Sequence, residues 1–315
     1  MTPATADRPL RPTTARAVAL VAARREAAGE LGRRLAELVG DPDAFATELR
    51  AGLGRLADPD YLAGQRLVAP GIGAIHGVRW PLLSALSRGF RAATRGDRTA
   101  PLLFVVDRLF REEHLEARWL AFGLLERLIA DDPERTWQLL RRAAREAADW
   151  ITVDSLAHPV GKGVLLEPYR WAELDQLVYS SSRWERRLVG STIATIPFVE
   201  GRRGRGREVA RHALPLVGEL IGDREPDVQK ALSWALRALT LVDADATAAF
   251  CEREAAIAAA TGDGHRAWVV RDALPKLDPV RAAAIRARLR DVRKRPGAPS
   301  TSRASATAAG FGSLP

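Results

Sequence analysis

The chain has 315 residues, of which 47% are hydrophobic, and it carries 48 Lys+Arg against 39 Asp+Glu. This composition supports a folded core and excludes a wholly disordered protein, and the single cysteine, Cys251, excludes a disulfide scaffold and a cysteine-rich zinc site. No window approaches the roughly 18 uncharged apolar residues of a membrane span. We therefore expect no membrane association, and the lack of a disulfide framework favours a cytoplasmic location.

The formal net charge of +9 is unevenly distributed along the chain. Residues 281–315 hold eight Lys+Arg and one acidic residue, which leaves only +2 for residues 1–280. Within that remainder, residues 141–211 count to +4 and residues 212–280 to −4. A local excess of positive charge indicates a nucleic-acid surface more directly than the total charge does.

Apolar residues recur at helical spacing along most of the chain, and Ala, Leu, Arg and Glu dominate its composition. The pattern predicts an all-α fold of roughly a dozen helices. Asp132 before Pro133, and Asp223 shortly before Pro226, predict places where a helix begins. We expect one helical domain over residues 14–293, a disordered N-terminus (1–13) and a disordered basic tail (294–315) that has no apolar stripe.

A basic residue recurs at one position of a repeated helical pattern, at Arg118, Arg187, Lys230 and Arg271. The last two intervals, 43 and 41 residues, have the length of a HEAT-like helix pair, whereas the first interval is 69 residues. Stacked pairs would form an α-α superhelical solenoid with these cations along one side, where they could bind DNA. Ordinary solvated helix charges are an equally weighted interpretation.

Tryptophan, carboxylate and guanidinium groups are concentrated between residues 150 and 234. Trp150 and Asp154 are four residues apart, and Arg187 follows Trp184 by three, so each pair shares a face if the segment is helical. Trp234 follows on a later predicted helix. An indole attracts a cation, a carboxylate stabilises positive charge, and Arg holds phosphate oxygens. Such a set could bind a cationic ring beside a phosphate, although Trp at helical spacing is more often part of a core.

Three segments resemble motifs of the DNA alkylation repair enzyme family, the AlkD-like HEAT-repeat glycosylases. Residues 150–154 (WITVD) are similar to its W-x-x-x-D motif, and residues 184–187 (WERR) resemble its W-x-x-R segment. Residues 228–237 (VQKALSWALR) are close to its V-Q-K-A-x-x-W-x-L-R signature. The motifs occur in the family's order, and the resemblance extends over roughly residues 45–280.

The resemblance implies a monomeric DNA glycosylase for N3- and N7-alkylated purines, acting on duplex DNA near the nucleoid without a metal or other cofactor. Asp154 would stabilise an oxocarbenium-like sugar as an ionised carboxylate. Trp150 and Trp234 would pack against the deoxyribose, and Arg187 would hold the flanking phosphate. Two other functions stay open: a non-catalytic HEAT-repeat protein that binds DNA structures, and a HEAT scaffold for protein interactions.

Other motifs carry less weight. Residues 69–75 (APGIGAI) resemble the hairpin of helix-hairpin-helix DNA repair proteins, but a turn between two helices is the favoured interpretation. The basic segment 201–207 (GRRGRGR) could reach a phosphate backbone or could be a solvated linker. Ser191 and Ser233 have no neighbouring base in the sequence, and the five histidines lack metal-ligand spacing, so neither a serine nucleophile nor a metal site is expected.

Overall fold

The computed structural model describes residues 11–96, 98–201 and 203–311. The all-α prediction is confirmed, because those residues form sixteen α-helices, three short 3-10 helices and no strand. Most of the N-terminal segment predicted to be disordered (1–13) lies outside the described residues, as do Asp97 and Arg202. Across the described ranges, we find no helix that combines the length and the hydropathy needed to cross a bilayer.

The chain divides into two compact units, Met1–Leu124 and Leu125–Pro315, where a single domain over residues 14–293 was expected. Unit 1 contains α1 (Pro12–Glu37), α2 (Pro42–Leu56), α3 (Pro59–Val68), α4 (Trp80–Ala93), α5 (Thr99–Leu109) and the first part of α6 (Leu115–Leu128). In this unit α1 packs along α2 and α4, and α2 packs on α5. A Cβ atom on Gly32 would lie 2.1 Å from the Leu86 oxygen, so this close approach of α1 to α4 requires glycine.

The connection between α3 and α4 is held by one buried carboxylate. Glu116, at the start of α6, accepts hydrogen bonds from the backbone N–H groups of His76 (3.1 Å), Gly77 (2.8 Å) and Val78 (3.2 Å). The segment with the Pro-Gly-Ile-Gly sequence is therefore part of a fixed connection between two helices of unit 1, which agrees with the favoured interpretation of this motif.

The same connection predicts a pH dependence of stability. The His76 ring stacks on His114 with 3.9 Å between centroids. Burial and, secondarily, the nearby His114 lower the pKa of His76 from its ordinary value of 6.5. The folded state therefore binds fewer protons than the unfolded chain as pH falls through 6.5. We expect the free energy of unfolding to be highest above that pH and to fall below it, by at most about 1.4 kcal/mol per pH unit.

Urea titrations at neutral pH and below pH 6 measure this dependence. His76→Asn should flatten the pH dependence, whereas His158→Gln, which removes an exposed histidine of unit 2, should leave it unchanged. Equal pH dependence in the His76 variant and the wild type would contradict the assignment.

Unit 2 consists of two layers of helices. It contains α7 (Pro133–Glu146), α8 (Trp150–Leu166), α9 (Trp171–Val178), α10 (Arg183–Val199), α11 (Arg207–Leu220), α12 (Pro226–Leu239), α13 (Ala244–Thr261), α14 (Gly264–Ala273), α15 (Pro279–Arg288) and α16 (Arg303–Phe311), with 3-10 helices at Pro168–Arg170, Arg203–Arg205 and Leu274–Lys276. In one layer α8, α10, α12 and α14 pack in succession. In the other, α9, α11, α13 and α15 do the same. This stacking is solenoid-like, and the assignment to HEAT repeats stays a prediction.

Two helices of unit 2, α7 and α12, begin at the prolines where the sequence predicted a start. The Asp132 carboxylate accepts a hydrogen bond from the Arg135 N–H, and α7 starts at Pro133. The helix α12 starts at Pro226 without a side-chain cap. Asp223 instead holds the turn before it, because its carboxylate accepts from the Glu225 N–H at 2.8 Å. A carboxylate shortly before a proline thus stabilises the turn as well as the helix end.

The C-terminal segment differs from the predicted disordered tail over residues 294–311. Lys294 Nζ donates to the Gln229 side-chain oxygen at 2.8 Å, and the Thr301 N–H donates to the Gly222 carbonyl at 2.9 Å. Helix α16 then packs on α11. Disorder was predicted because the segment has no apolar stripe. The segment packs without such a stripe because polar groups hold it to unit 2.

Candidate functional site

The first predicted motif lies at the start of α8. Asp149 caps this helix, because its carboxylate accepts hydrogen bonds from the Thr152 N–H at 2.8 Å and from its hydroxyl at 2.7 Å. The cap places Trp150 in the first turn, where the residue is 37% exposed. Asp154 follows one turn later with a side chain that is 21% exposed. An open indole and a partly shielded carboxylate therefore share one helix.

Arg187 of α10 pairs with that carboxylate through the guanidinium edge formed by Nε and Nη2. Nε donates to Asp154 Oδ1 at 3.1 Å and Nη2 to Oδ2 at 2.8 Å, which is a forked, bidentate contact. The remaining terminal nitrogen, Nη1, donates to the Asp227 carbonyl at 2.7 Å. The Arg187 guanidinium carbon is also 6.0 Å from the centroid of the Trp150 ring.

This arrangement differs from the phosphate-binding role that the resemblance implied for Arg187. The residue is only 5% exposed, and all three guanidinium nitrogens donate to protein oxygens. The physical reason is the close stacking of α8, α10 and α12, which surrounds the side chain. In this geometry Arg187 orients the Asp154 carboxylate, and its contact with a phosphate stays a prediction.

Ser191 is a residue of the site that the sequence did not reveal. Its side chain is fully buried, and its hydroxyl donates to Asp154 Oδ1 at 2.6 Å. The hydroxyl acts as a donor to the carboxylate. One signal was available, because Ser191 follows Arg187 by four residues and therefore lies on the same helix face.

The third motif lies on α12, which packs closely against α10. A Cβ atom on Gly190 would be 2.9 Å from the backbone of Ala231, so only glycine permits this approach. Trp234 is half-buried and lies seven residues after Asp227, about 10 Å farther along the helix axis. Lys230 is exposed between them. The structure thus brings Trp150, Asp154 and Arg187 into contact and places Trp234 and Lys230 on the adjacent helix.

The other two predicted cations have structural partners. Arg118 lies in unit 1, where its Nε donates to the Glu112 carbonyl at 3.1 Å. Arg271 donates to the carbonyls of Leu289 and Val292. Both side chains therefore satisfy backbone oxygens of their own unit. The four repeated cations therefore do not share one environment, and the repeated pattern alone does not show which of them faces a ligand.

Unit 2 also contains a second set of the same residue types. Trp268 and Asp272 are four residues apart on α14, with the spacing of Trp150 and Asp154. Asp272 accepts a hydrogen bond from the Ser233 hydroxyl at 2.7 Å and pairs with Arg237 of α12. Burial raises the pKa of Asp272, but the hydrogen bonds from Ser233 and Arg237 outweigh it and hold the pKa below its ordinary range. This set provides matched controls for the residues around Asp154.

A comparison of the chain with models of known protein families shows the family to which it belongs. The family model described as "DNA alkylation repair enzyme" matches residues 49–277, which is most of the chain. The chain belongs to the DNA alkylation repair enzyme family. The resemblance of its three motifs is thereby confirmed at the level of the family. No curated protein matches the chain significantly.

The membership gives the site a context in DNA alkylation repair. The matched range, 49–277, includes Asp154 and its hydrogen-bond partners Arg187 and Ser191. In the described ranges, no group of three or more His, Cys, Asp or Glu side chains is arranged to hold a metal ion. The groups around the Asp154 carboxylate are a guanidinium, a hydroxyl and an indole. The carboxylate and the indole are suited to the binding of positive charge.

Proposed function

We propose that this chain is a DNA glycosylase that removes N3- and N7-alkylated purines from duplex DNA. The observation that carries the proposal is the Asp154 carboxylate, which Arg187 and Ser191 hold in one orientation near the indole of Trp150. Membership of a DNA alkylation repair family supports a DNA substrate. We further propose that the protein acts as a monomer and without a cofactor.

The proposed substrate requires little catalytic assistance from the protein. An N3- or N7-alkylated purine is already cationic, so it can leave without protonation by a general acid. When the bond between C1′ and the base nitrogen breaks, its electron pair goes to the base, which leaves neutral, and positive charge develops on the sugar. Water then adds to C1′ and releases one proton to solvent. The products are the free base and an abasic site.

Asp154 supplies the main requirement, which is negative charge near the developing sugar cation. Two unit charges about 4 Å apart in a partly shielded site attract each other by about 4 kcal/mol. The positive charge of Arg187 offsets part of this attraction, but its two contacts fix the direction in which the carboxylate points. In this proposal Trp150 and Trp234 pack against the deoxyribose, and exposed Lys230 binds a neighbouring phosphate.

The proposal is tested by incubating the protein with a duplex that carries one 7-methylguanine and, separately, one 3-methyladenine. We expect release of the free base, measured by chromatography, and strand cleavage at the resulting abasic site after alkali. Release no faster than spontaneous depurination would refute the proposal. Salt-dependent DNA binding without release would then favour a non-catalytic DNA binder, and absent or salt-insensitive binding a protein scaffold.

Ser191 is expected to act as a positioning residue. Ser191→Ala removes one hydrogen bond to a charged acceptor, an interaction typically worth about 1.5–3 kcal/mol, so single-turnover excision should slow by about tenfold or more. The affinity for DNA should not change, because the hydroxyl is buried. Ser233→Ala removes the matching hydroxyl from Asp272 and should leave excision at the wild-type rate. Equal rates in the two variants would contradict a specific role for Ser191.

A further inference from the structure

A cluster of arginines faces solvent in the segment that joins α10 to α11 and in the first turns of α11. Arg203, Arg207 and Arg211 are exposed, and the side chain of Arg207 is 89% exposed. The sequence left two interpretations of this segment open, a phosphate contact and a solvated linker. The two differ in a testable way, because a linker has no need for a fixed conformation.

The segment is fixed to the end of α10. A Cβ atom on Gly204 would lie 2.1 Å from the Ile196 oxygen, so the backbone lies directly against the helix and requires glycine. Arg205 Nε donates to the Pro197 carbonyl at 3.1 Å and thereby satisfies one of the last carbonyls of α10. Arg203 therefore projects from a backbone held against α10, and Arg207 and Arg211 project from the first turns of α11.

The positive charge of this segment is incompletely balanced. Residues 199–211 contain five arginines and two acidic residues, Glu200 and Glu208. The carboxylate of Glu208 lies against Gly206 at the first turn of α11. Arg207 has one further acidic neighbour, Asp243, at 3.9 Å, and such exposed pairs contribute little. The segment therefore offers a net positive surface to a polyanion.

The position of the segment suits a duplex bound at Asp154. Arg187 contacts Asp154 near the start of α10, and the segment is attached at Pro197, ten residues later on the same helix. That separation is about 15 Å along the axis, or about four base steps of one DNA strand. A duplex that runs along α10 with its damaged nucleotide at Asp154 would reach this surface with a backbone phosphate.

We propose that Arg203, Arg207 and Arg211 form a second contact surface for the phosphate backbone of duplex DNA, about four base steps from the nucleotide at Asp154. The inference rests on the proposed function for the identity of the polyanion. The contact is independent of sequence and of damage, so it adds affinity for any duplex and leaves the excision step at saturating DNA unchanged.

The experiment compares two triple variants with the same change in charge. One carries Arg203→Gln, Arg207→Gln and Arg211→Gln, and the control carries Arg286→Gln, Arg288→Gln and Arg290→Gln, which are exposed residues at α15 and just after it. Affinity for an undamaged duplex is measured by fluorescence anisotropy between about 50 and 200 mM salt. In the first variant, the slope of the logarithm of the association constant against the logarithm of salt concentration should become shallower by about 0.9 for each phosphate that the protein no longer neutralises. The slope of the control variant should equal that of the wild type.

A slope equal to that of the wild type in the first variant, or an equally shallow slope in both variants, would overturn the inference. Wild-type DNA affinity in the first variant would likewise show that this surface does not contact the duplex. The base-release assay separates this failure from that of the proposed function. A wild-type protein that binds DNA but releases no base refutes the glycosylase, and the slope comparison still decides the phosphate contact.

Discussion

Asp154→Asn is expected to reduce base excision by about a hundredfold to a thousandfold while DNA affinity stays within about threefold of the wild type. The amide preserves the size and shape of the side chain, and its oxygen still accepts the hydrogen bond from Ser191. It removes the negative charge that the developing sugar cation requires. Single-turnover excision of 7-methylguanine and anisotropy binding with an undamaged duplex measure the two quantities separately.

Asp272→Asn provides the matched control for this variant. Asp272 also accepts from a serine and pairs with an arginine, and its side chain is 44% exposed, so its replacement changes the same chemistry outside the proposed site. We expect excision at the wild-type rate. If both asparagine variants lost excision equally, or if Asp154→Asn lost DNA affinity in proportion to excision, a structural role for Asp154 would replace the catalytic one.

Arg187→Gln is expected to slow excision by about tenfold or more and to lower the free energy of unfolding by about 3 kcal/mol. The variant removes the forked contact to Asp154 and leaves the carboxylate without its positive partner in a partly shielded site. Arg187→Lys keeps the charge but cannot make two parallel contacts, so its excision rate should fall between those of the wild type and the glutamine variant.

The salt dependence of DNA binding distinguishes the two roles considered for Arg187. A phosphate contact predicts a shallower slope of log K against log salt in Arg187→Gln, whereas a holder of Asp154 predicts an unchanged slope. Arg183→Gln, on the same helix, is the control for removal of a surface charge, because that side chain is 48% exposed. A shallower slope for Arg187→Gln than for Arg183→Gln would contradict the role that the structure gives Arg187.

Short-range sequence patterns were sufficient to predict the parts of the fold that depend on neighbouring residues. The spacing of Trp150 and Asp154 predicted a shared helix face, and α8 contains both. Pro133 and Pro226 predicted helix starts, and both begin helices. These features follow from helix periodicity and from the chemistry of the first turn, which a few consecutive residues specify.

The C-terminal segment shows where local signals are insufficient. Residues 294–311 have no apolar stripe, so composition predicted disorder. They are held instead by partners far away in the chain, because Thr301 contacts Gly222 and Lys294 contacts Gln229. Such polar contacts exist only once the helices that carry the partners are stacked.

The sequence by itself determined the helical class, the family and the motif residues of the candidate site, because each depends on the identity and spacing of a few neighbouring residues. Only the tertiary structure shows which groups Arg187 and Ser191 contact. Each bonds to Asp154 across more than 30 positions of the chain. The close packing of α8, α10 and α12 brings these groups within hydrogen-bond distance. That packing depends on glycines such as Gly190, which leaves room for the facing backbone. The need for glycine at this position is visible only when the facing helix is in place.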